Sequence, residues 1–98
     1  DSVPVLKEAM GWSNNVVRVF AIKAIGKVGD SSVMPDLRKA YRDEDVKIRV
    51  AAAESLARLG DFGALEYLSE NVKDNETRKD IRQLLIEIKT EKMRPPVK

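Results

Sequence analysis

The side chains that could do chemistry in this sequence are two arginines, one serine and two acidic clusters. Arg18 and Arg49 stand 31 residues apart, so they could bind anions at repeated positions. Ser55 could act as a nucleophile only beside an activating base, but the chain contains no histidine and no cysteine. These absences remove the commonest general base and every Ser-His or Cys-His arrangement. We therefore predict no catalytic residue and no enzymatic activity.

The acidic clusters at 43–45 and 74–76 offer oxygen atoms that could bind Ca²⁺ or Mg²⁺. They lack the alternating ligands, the central glycine and the distal glutamate of a calcium-binding loop. Histidine and cysteine, the usual zinc ligands, are missing as well. We predict that the clusters cap helices, and that the protein has no metal site and no cofactor.

Composition predicts one folded domain with a near-neutral surface. The 98 residues are 43% hydrophobic and 35% charged, a balance that argues against disorder. A net charge of +2 makes nucleic-acid binding a weak hypothesis. There is no membrane-spanning run and no signal-peptide pattern. We therefore expect a cytoplasmic protein, and because the chain begins at Asp1 rather than Met, a processed product or part of a longer array.

An internal repeat of 31 residues must position the candidate side chains. Gly29-Asp30 recurs as Gly60-Asp61, and Pro4 recurs as Pro35. Periods of this length are typical of stacked helical units. In the first helix of each unit, apolar or small residues follow Val17 or Ile48 at helical spacing and form one stripe.

Each unit is predicted to be a pair of antiparallel helices. A glycine suits the left-handed residue after a helix, and the following aspartate suits the cap of the next. Matching Ile81 to Ile48 needs a shift of 33 instead of 31, so the turn before the last helix is about two residues longer than the earlier one. We predict helices near 2–11, 15–28, 32–42, 46–59, 62–72 and 77–90.

The predicted fold is all-α: an α-α superhelix, or solenoid, of antiparallel helical hairpins with about six helices. It forms one domain over 1–92, divided into a partial unit 2–14, full units 15–45 and 46–76, and a partial unit 77–92. Residues 93–98 contain two prolines and are expected to form a flexible tail.

The two full units resemble a known repeat family. VVRVFAIKAIGKVGDSSVMPDLRKAYRDED and VKIRVAAAESLARLGDFGALEYLSENVKDNE are similar to the short bacterial and archaeal type of HEAT repeat, which also occurs in bilin lyase subunits. The resemblance implies a non-catalytic protein-protein interaction scaffold. Alternatives are an accessory subunit or domain of a modifying enzyme such as a bilin lyase and, more weakly, a nucleic-acid-binding protein.

The resemblance also implies particular placements. It pairs Arg49 with Asp43, leaves Arg18 facing Trp12, and puts the second helix of each unit on the concave side. Ser55 is expected to be a small residue that admits close helix packing, with its hydroxyl bonded to a carbonyl one turn back.

Five residues are the candidates for partner binding. Four of them lie at outward positions of the second helices: Lys7 in one unit, and Arg38, Lys39 and Arg42 in the next. We expect the charges of the three central residues to add on one face and to attract an acidic protein. An ordinary solvated helix face would carry the same residue types. Trp12, at the first turn between units, either anchors a partner or covers the end of the core.

The end helices of a short solenoid expose apolar residues that another chain could cover. We therefore expect a homo-oligomer formed through the end helices. The surfaces available from the sequence are Val3, Val5 and Met10 at one end, or Leu84, Leu85 and Ile88 at the other.

Overall fold

The computed structural model describes residues 3–93, which form six α-helices and no strand. This confirms the predicted all-α fold. The helices are α1 (Val3–Ala9), α2 (Asn15–Val28), α3 (Met34–Ala40, preceded by a 3-10 turn at Ser31–Val33), α4 (Val46–Arg58), α5 (Gly63–Asn71) and α6 (Asn75–Met93).

The turns within units follow the predicted chemistry. Gly29 and Gly60 adopt left-handed backbone angles, with φ of 80° and 102°, which only glycine reaches without strain. Asp30 then accepts a hydrogen bond from the Ser32 amide at 2.9 Å. These turns reverse the chain and make each pair of helices antiparallel.

The last helix differs from its predicted span of 77–90 because it starts earlier and ends later. Near the end of its predicted span, Lys89 ties the helix to α5: its Nζ lies 2.9 Å from the Glu66 carboxylate and 5.5 Å from the centre of the Phe62 ring. The predicted tail at 93–98 is wrong at Met93, which ends α6. The rest of that tail, residues 94–98, lies outside the described residues.

The helices form two layers, with the first helices α2, α4 and α6 in one and the second helices α1, α3 and α5 in the other. α2 packs along α4 and α4 along α6, whereas α3 makes almost no close backbone approach to α1 or α5. The close approach of α2 to α4 depends on small residues at their contact. That the second helices line the concave side stays a prediction.

Helix α4 is the centre of the core, with every residue from Ala51 to Ala57 buried. One face joins a cluster with α1, α2 and α3 that includes Ile22, Ile25 and Leu37. The opposite face joins a second cluster with α5 and α6. A row of alanines allows neighbours to pack on both sides of α4 at once.

The contact between α2 and α4 is closest at Gly26 and Ser55. A Cβ atom placed on Gly26 would lie 2.7 Å from the Cα atom of Ser55, which is shorter than any normal contact. The Ser55 hydroxyl donates a hydrogen bond of 2.6 Å to the carbonyl of Ile22 on α2. The predicted role in close packing is confirmed, but the predicted acceptor one turn back is wrong, because the hydroxyl crosses to the neighbouring helix.

Replacing Gly26 with alanine should destabilise the protein by about 1–3 kcal/mol, because α2 and α4 would have to separate. The matched control is Gly63→Ala at the start of α5, where the new Cβ meets only an ordinary 3.5 Å contact. Alanine there should be neutral or stabilising by up to about 1 kcal/mol. Urea unfolding of both variants measures the difference, and equal stabilities would contradict this account of the α2/α4 contact.

Candidate protein-binding surfaces

The two repeated arginines hold consecutive units together through Asp43. Arg18 reaches from α2 to place its Nη2 2.8 Å from the Asp43 carboxylate, and its Nε donates to the Met10 carbonyl at 3.0 Å. Arg49 donates instead to the main-chain carbonyls of Asp43 and Glu44, at 2.8 and 2.9 Å. The implied ion pair of Arg49 with Asp43 is therefore wrong, since the carboxylate is taken by Arg18.

Protein oxygen atoms engage all three nitrogen atoms of the Arg18 guanidinium and Nη1 of Arg49. The Asp45 amide and the Arg18 guanidinium both donate to the Asp43 carboxylate, and these hydrogen bonds lower its pKa from the ordinary 3.8. The ionised Asp43 carboxylate thus joins α2, through Arg18, to the start of α4, through the Asp45 amide.

The acidic clusters act as helix caps, as predicted. Asp45 accepts from the Lys47 amide at 2.8 Å at the start of α4, and Asp74 accepts from the Thr77 amide at 3.0 Å at the start of α6. Hydrogen bonds from Thr77 lower the pKa of Asp74. Within residues 3–93 no group of three acidic side chains is arranged to hold a metal ion.

The basic candidates on the second helices divide between two clefts. Lys7 and Lys39 line the cleft between α1 and α3, whereas Arg38 and Arg42 line the cleft between α3 and α5. Lys7 pairs with Asp36 at 3.4 Å, and Arg38 pairs with Asp61 at 3.3 Å. Arg38 and Arg42 share a cleft because they are four residues apart. The expectation that the three central charges add on one face stays a prediction.

Trp12 lies in the turn before α2, with 49% of its surface exposed and outside both core clusters. The interpretation that it covers the end of the core stays a prediction. Ala9 and Met10, which are 7% and 9% exposed, are the buried residues at that end.

A groove on the layer of first helices is the surface that sequence reasoning missed. It runs between the N-terminal halves of α2 and α4, has a volume of about 400 Å³ and is lined by the apolar side chains of Val16, Val19 and Val50. Lys23 and Lys47 flank it, and Asn15 closes one end through a 3.0 Å hydrogen bond to Asp45. Val16 keeps 79% of its surface exposed.

The sequence did contain a signal for this groove. Val16 and Val19 lie off the stripe that begins at Val17, so α2 carries more apolar residues than one buried face requires.

The fold and the repeat agree with one family. A family model described as HEAT repeats matches residues 3–88, and the chain belongs to the HEAT-repeat family. No curated protein matches it in sequence.

No helix within residues 3–93 combines the length and the apolar character needed to cross a membrane.

Asp43→Asn should lower the melting temperature at pH 7, because the variant loses the charged partner of Arg18. Since the pKa of Asp43 is lowered by folding, its contribution is present above the ordinary value of 3.8 and is lost as the pH falls through the lower folded value. The difference in melting temperature between wild type and variant should therefore shrink below pH 3.8.

Glu44→Gln is the control, because that neighbouring side chain is exposed. Thermal unfolding followed by circular dichroism between pH 2 and 7 gives both curves. A difference that stays constant over this range would show that Asp43 does not act through its charge.

Proposed function

We propose that this chain is a non-catalytic module that binds a protein partner through the groove between α2 and α4. HEAT repeats generally mediate protein-protein interactions, and the family match covers most of the chain. The observation that carries the proposal is the set of valines in the groove, with Val16 79% exposed on the layer of first helices. Exposed apolar surface rimmed by polar groups marks interaction sites in folded proteins.

The groove fits a partner segment that presents one or two apolar side chains and a neighbouring carboxylate. The valines would bury the apolar side chains, and the lysines on either side would meet the acidic group. Lys47 takes part in no ion pair among residues 3–93, so its charge is available. This keeps the acidic partner predicted from the sequence but moves its main binding site to the other layer.

The five sequence-based candidates remain a second proposed contact surface. Lys39 and Arg42 are exposed, and Trp12 is half exposed beside the start of α2. Lys7 and Arg38 would have to exchange their present aspartate partners for those of the bound protein, which reduces what they add to affinity.

The two alternative functions predicted from the sequence would each be recognised by what copurifies with the protein. An accessory subunit of a modifying enzyme such as a bilin lyase would carry a pigment, and a nucleic-acid-binding protein would carry DNA or RNA. Neither alternative is favoured by a particular contact among the described residues. The cytoplasmic location expected from the sequence stays a prediction.

The test is a pull-down from the native source with variants of matched design. Val16→Asp removes an apolar contact and adds a charge that repels an acidic partner, while an acidic residue in the first turn of α2 keeps that helix stable. Val5→Asp makes the same change at an exposed valine on α1. We expect the Val16 variant to lose a stoichiometric protein partner, by roughly tenfold or more, and the Val5 variant to retain it.

Arg38→Glu with Arg42→Glu tests the other surface. If this double variant loses the partner and Val16→Asp retains it, the binding site lies on the second helices. A stoichiometric pigment or nucleic acid in place of a protein would contradict the proposal itself.

A further inference from the structure

The apolar surfaces that the sequence predicts for a homo-oligomer are mostly buried. Four of their residues belong to the core clusters or pack against them: Met10, Ile88, Leu84 and Leu85. Val5 is 62% exposed on α1, and the side chain of Val3 lies outside the described residues. Homo-oligomer formation stays a prediction, and the surface with the most distinctive chemistry lies elsewhere, between α3 and α5.

The cleft between α3 and α5 gathers hydrogen-bond donors on the layer of second helices. It has a volume of about 480 Å³, within the range of roughly 300–1,000 Å³ that ligand sites occupy. Arg38, Tyr41 and Arg42 line it from α3 and the turn that follows, and Tyr67 lines it from α5. Helical backbone angles continue through Tyr41, with φ of −63° and ψ of −18°. The three residues from α3, at spacings of three and four, therefore lie on one side of that helix.

Most of these donors have no acceptor within residues 3–93. No side-chain hydrogen bond or ion pair of the described residues involves the Arg42 guanidinium or the hydroxyl group of Tyr41 or Tyr67. Arg38 donates through Nη2 alone, to the Asp61 carboxylate at 3.3 Å. The cleft thus offers two guanidinium groups and two phenol hydroxyls to a ligand.

The two tyrosines are neighbours, and the fold fixes one of them. Tyr41 packs against both core clusters, whereas Tyr67 is 60% exposed on α5. Burial and, after it, the nearby Tyr67 phenol raise the pKa of Tyr41 above the ordinary 10.0, against a smaller opposite effect of the Arg49 charge. The Tyr41 hydroxyl is therefore a protonated donor at neutral pH.

Asp61 supplies the one carboxylate among the described residues that line the cleft. It is already engaged, because it accepts from the Gly63 amide at 3.2 Å and from Arg38 at 3.3 Å. Two arginines and one aspartate leave the cleft with a net positive charge. Cations near the end of α3 also complement the negative end of that helix, but this role does not require two phenol hydroxyls beside them.

We propose that this cleft binds the phosphate group of a phosphorylated side chain in a protein partner. A phosphate group carries a charge of about −1.5 to −2 at pH 7 and three strong acceptor oxygens. A carboxylate has only two oxygens, fewer than two guanidinium groups and two hydroxyls can serve. Arg42 makes the main contact, and the hydroxyls of Tyr41 and Tyr67 donate to the remaining oxygens.

The proposal gives a chemistry to the second contact surface, and it rests on the proposed binding of a protein partner. The groove between α2 and α4 lies on the other layer and is not involved. The pull-down with Val16→Asp tests the groove, and a direct titration of the cleft tests the phosphate site. Either proposal can therefore fail without the other.

The test is a nuclear magnetic resonance titration of the protein with short peptides of one sequence that carry phosphoserine, glutamate or serine at the central position. We expect the phosphoserine peptide to shift the amide signals of the cleft with a Kd of about 1 mM. It should bind roughly fivefold or more tightly than the glutamate peptide, because of its extra charge and its third oxygen. Equal binding of the phosphoserine and glutamate peptides, or no shift at the cleft up to about 10 mM, would overturn the proposal.

Variants locate the site. Arg42→Gln should weaken phosphoserine binding by roughly tenfold, and Tyr67→Phe, which removes only a hydroxyl, by about threefold. The matched control is Lys73→Gln, which removes the same charge just beyond the other end of α5 and should bind like the wild type. All three side chains are exposed, so these substitutions leave the fold intact. Equal weakening by Lys73→Gln and Arg42→Gln would reduce the binding to general charge attraction and refute the site.

Inorganic phosphate and a short single strand of DNA separate the other sources of a phosphate group. Phosphate alone should shift the same amide signals at higher concentration than the phosphoserine peptide, and the DNA strand should not compete with that peptide. Inorganic phosphate that binds as tightly as the peptide would make the cleft a site for the free ion. A DNA strand that displaces the peptide would assign the cleft to nucleic acid, and either result would contradict a phosphorylated protein partner.

Discussion

The close approach of α2 and α4 is the constraint on which the rest of the structure depends. It requires a residue without a side chain at position 26, because the backbone of Ser55 occupies the space that a Cβ would need. It also places a hydroxyl group where the Ile22 carbonyl can accept a second hydrogen bond. A buried serine hydroxyl is costly unless it is bonded, so the same contact satisfies the serine and sets the distance between the helices.

The same close approach shapes the surface of the layer of first helices. Gly26 and Ser55 bring α2 and α4 together, and a groove lined by Val16, Val19 and Val50 lies between their N-terminal halves. Val16 therefore has a functional interpretation as an exposed apolar side chain, whereas Arg38 on α3 already pairs with Asp61 at 3.3 Å.

Electrostatic contacts have two separate roles in this chain. Arg18 and Arg49 tie the main chain of one unit to a side chain of the next, through the carbonyls of Met10 and Asp43, so these contacts are part of the architecture. The pair of Lys23 with Glu54, at 4.0 Å, instead lies between two first helices at equivalent positions of successive units.

The sequence by itself determined the helices, their order and their pairing, because these depend on local chemistry. Glycine at 29 and 60, aspartate caps and apolar residues at helical spacing act within a few residues of each other, and the family match agrees with the repeat they form. Tertiary structure decided which oxygen atoms Arg18 and Arg49 reach, and where the Ser55 hydroxyl bonds. Those outcomes depend on the distance between helices that are about 31 residues apart in the chain, and that distance is set by the packing of Gly26 against Ser55. A one-dimensional pattern identifies buried positions, but which side chains meet across units emerges only when the helices pack.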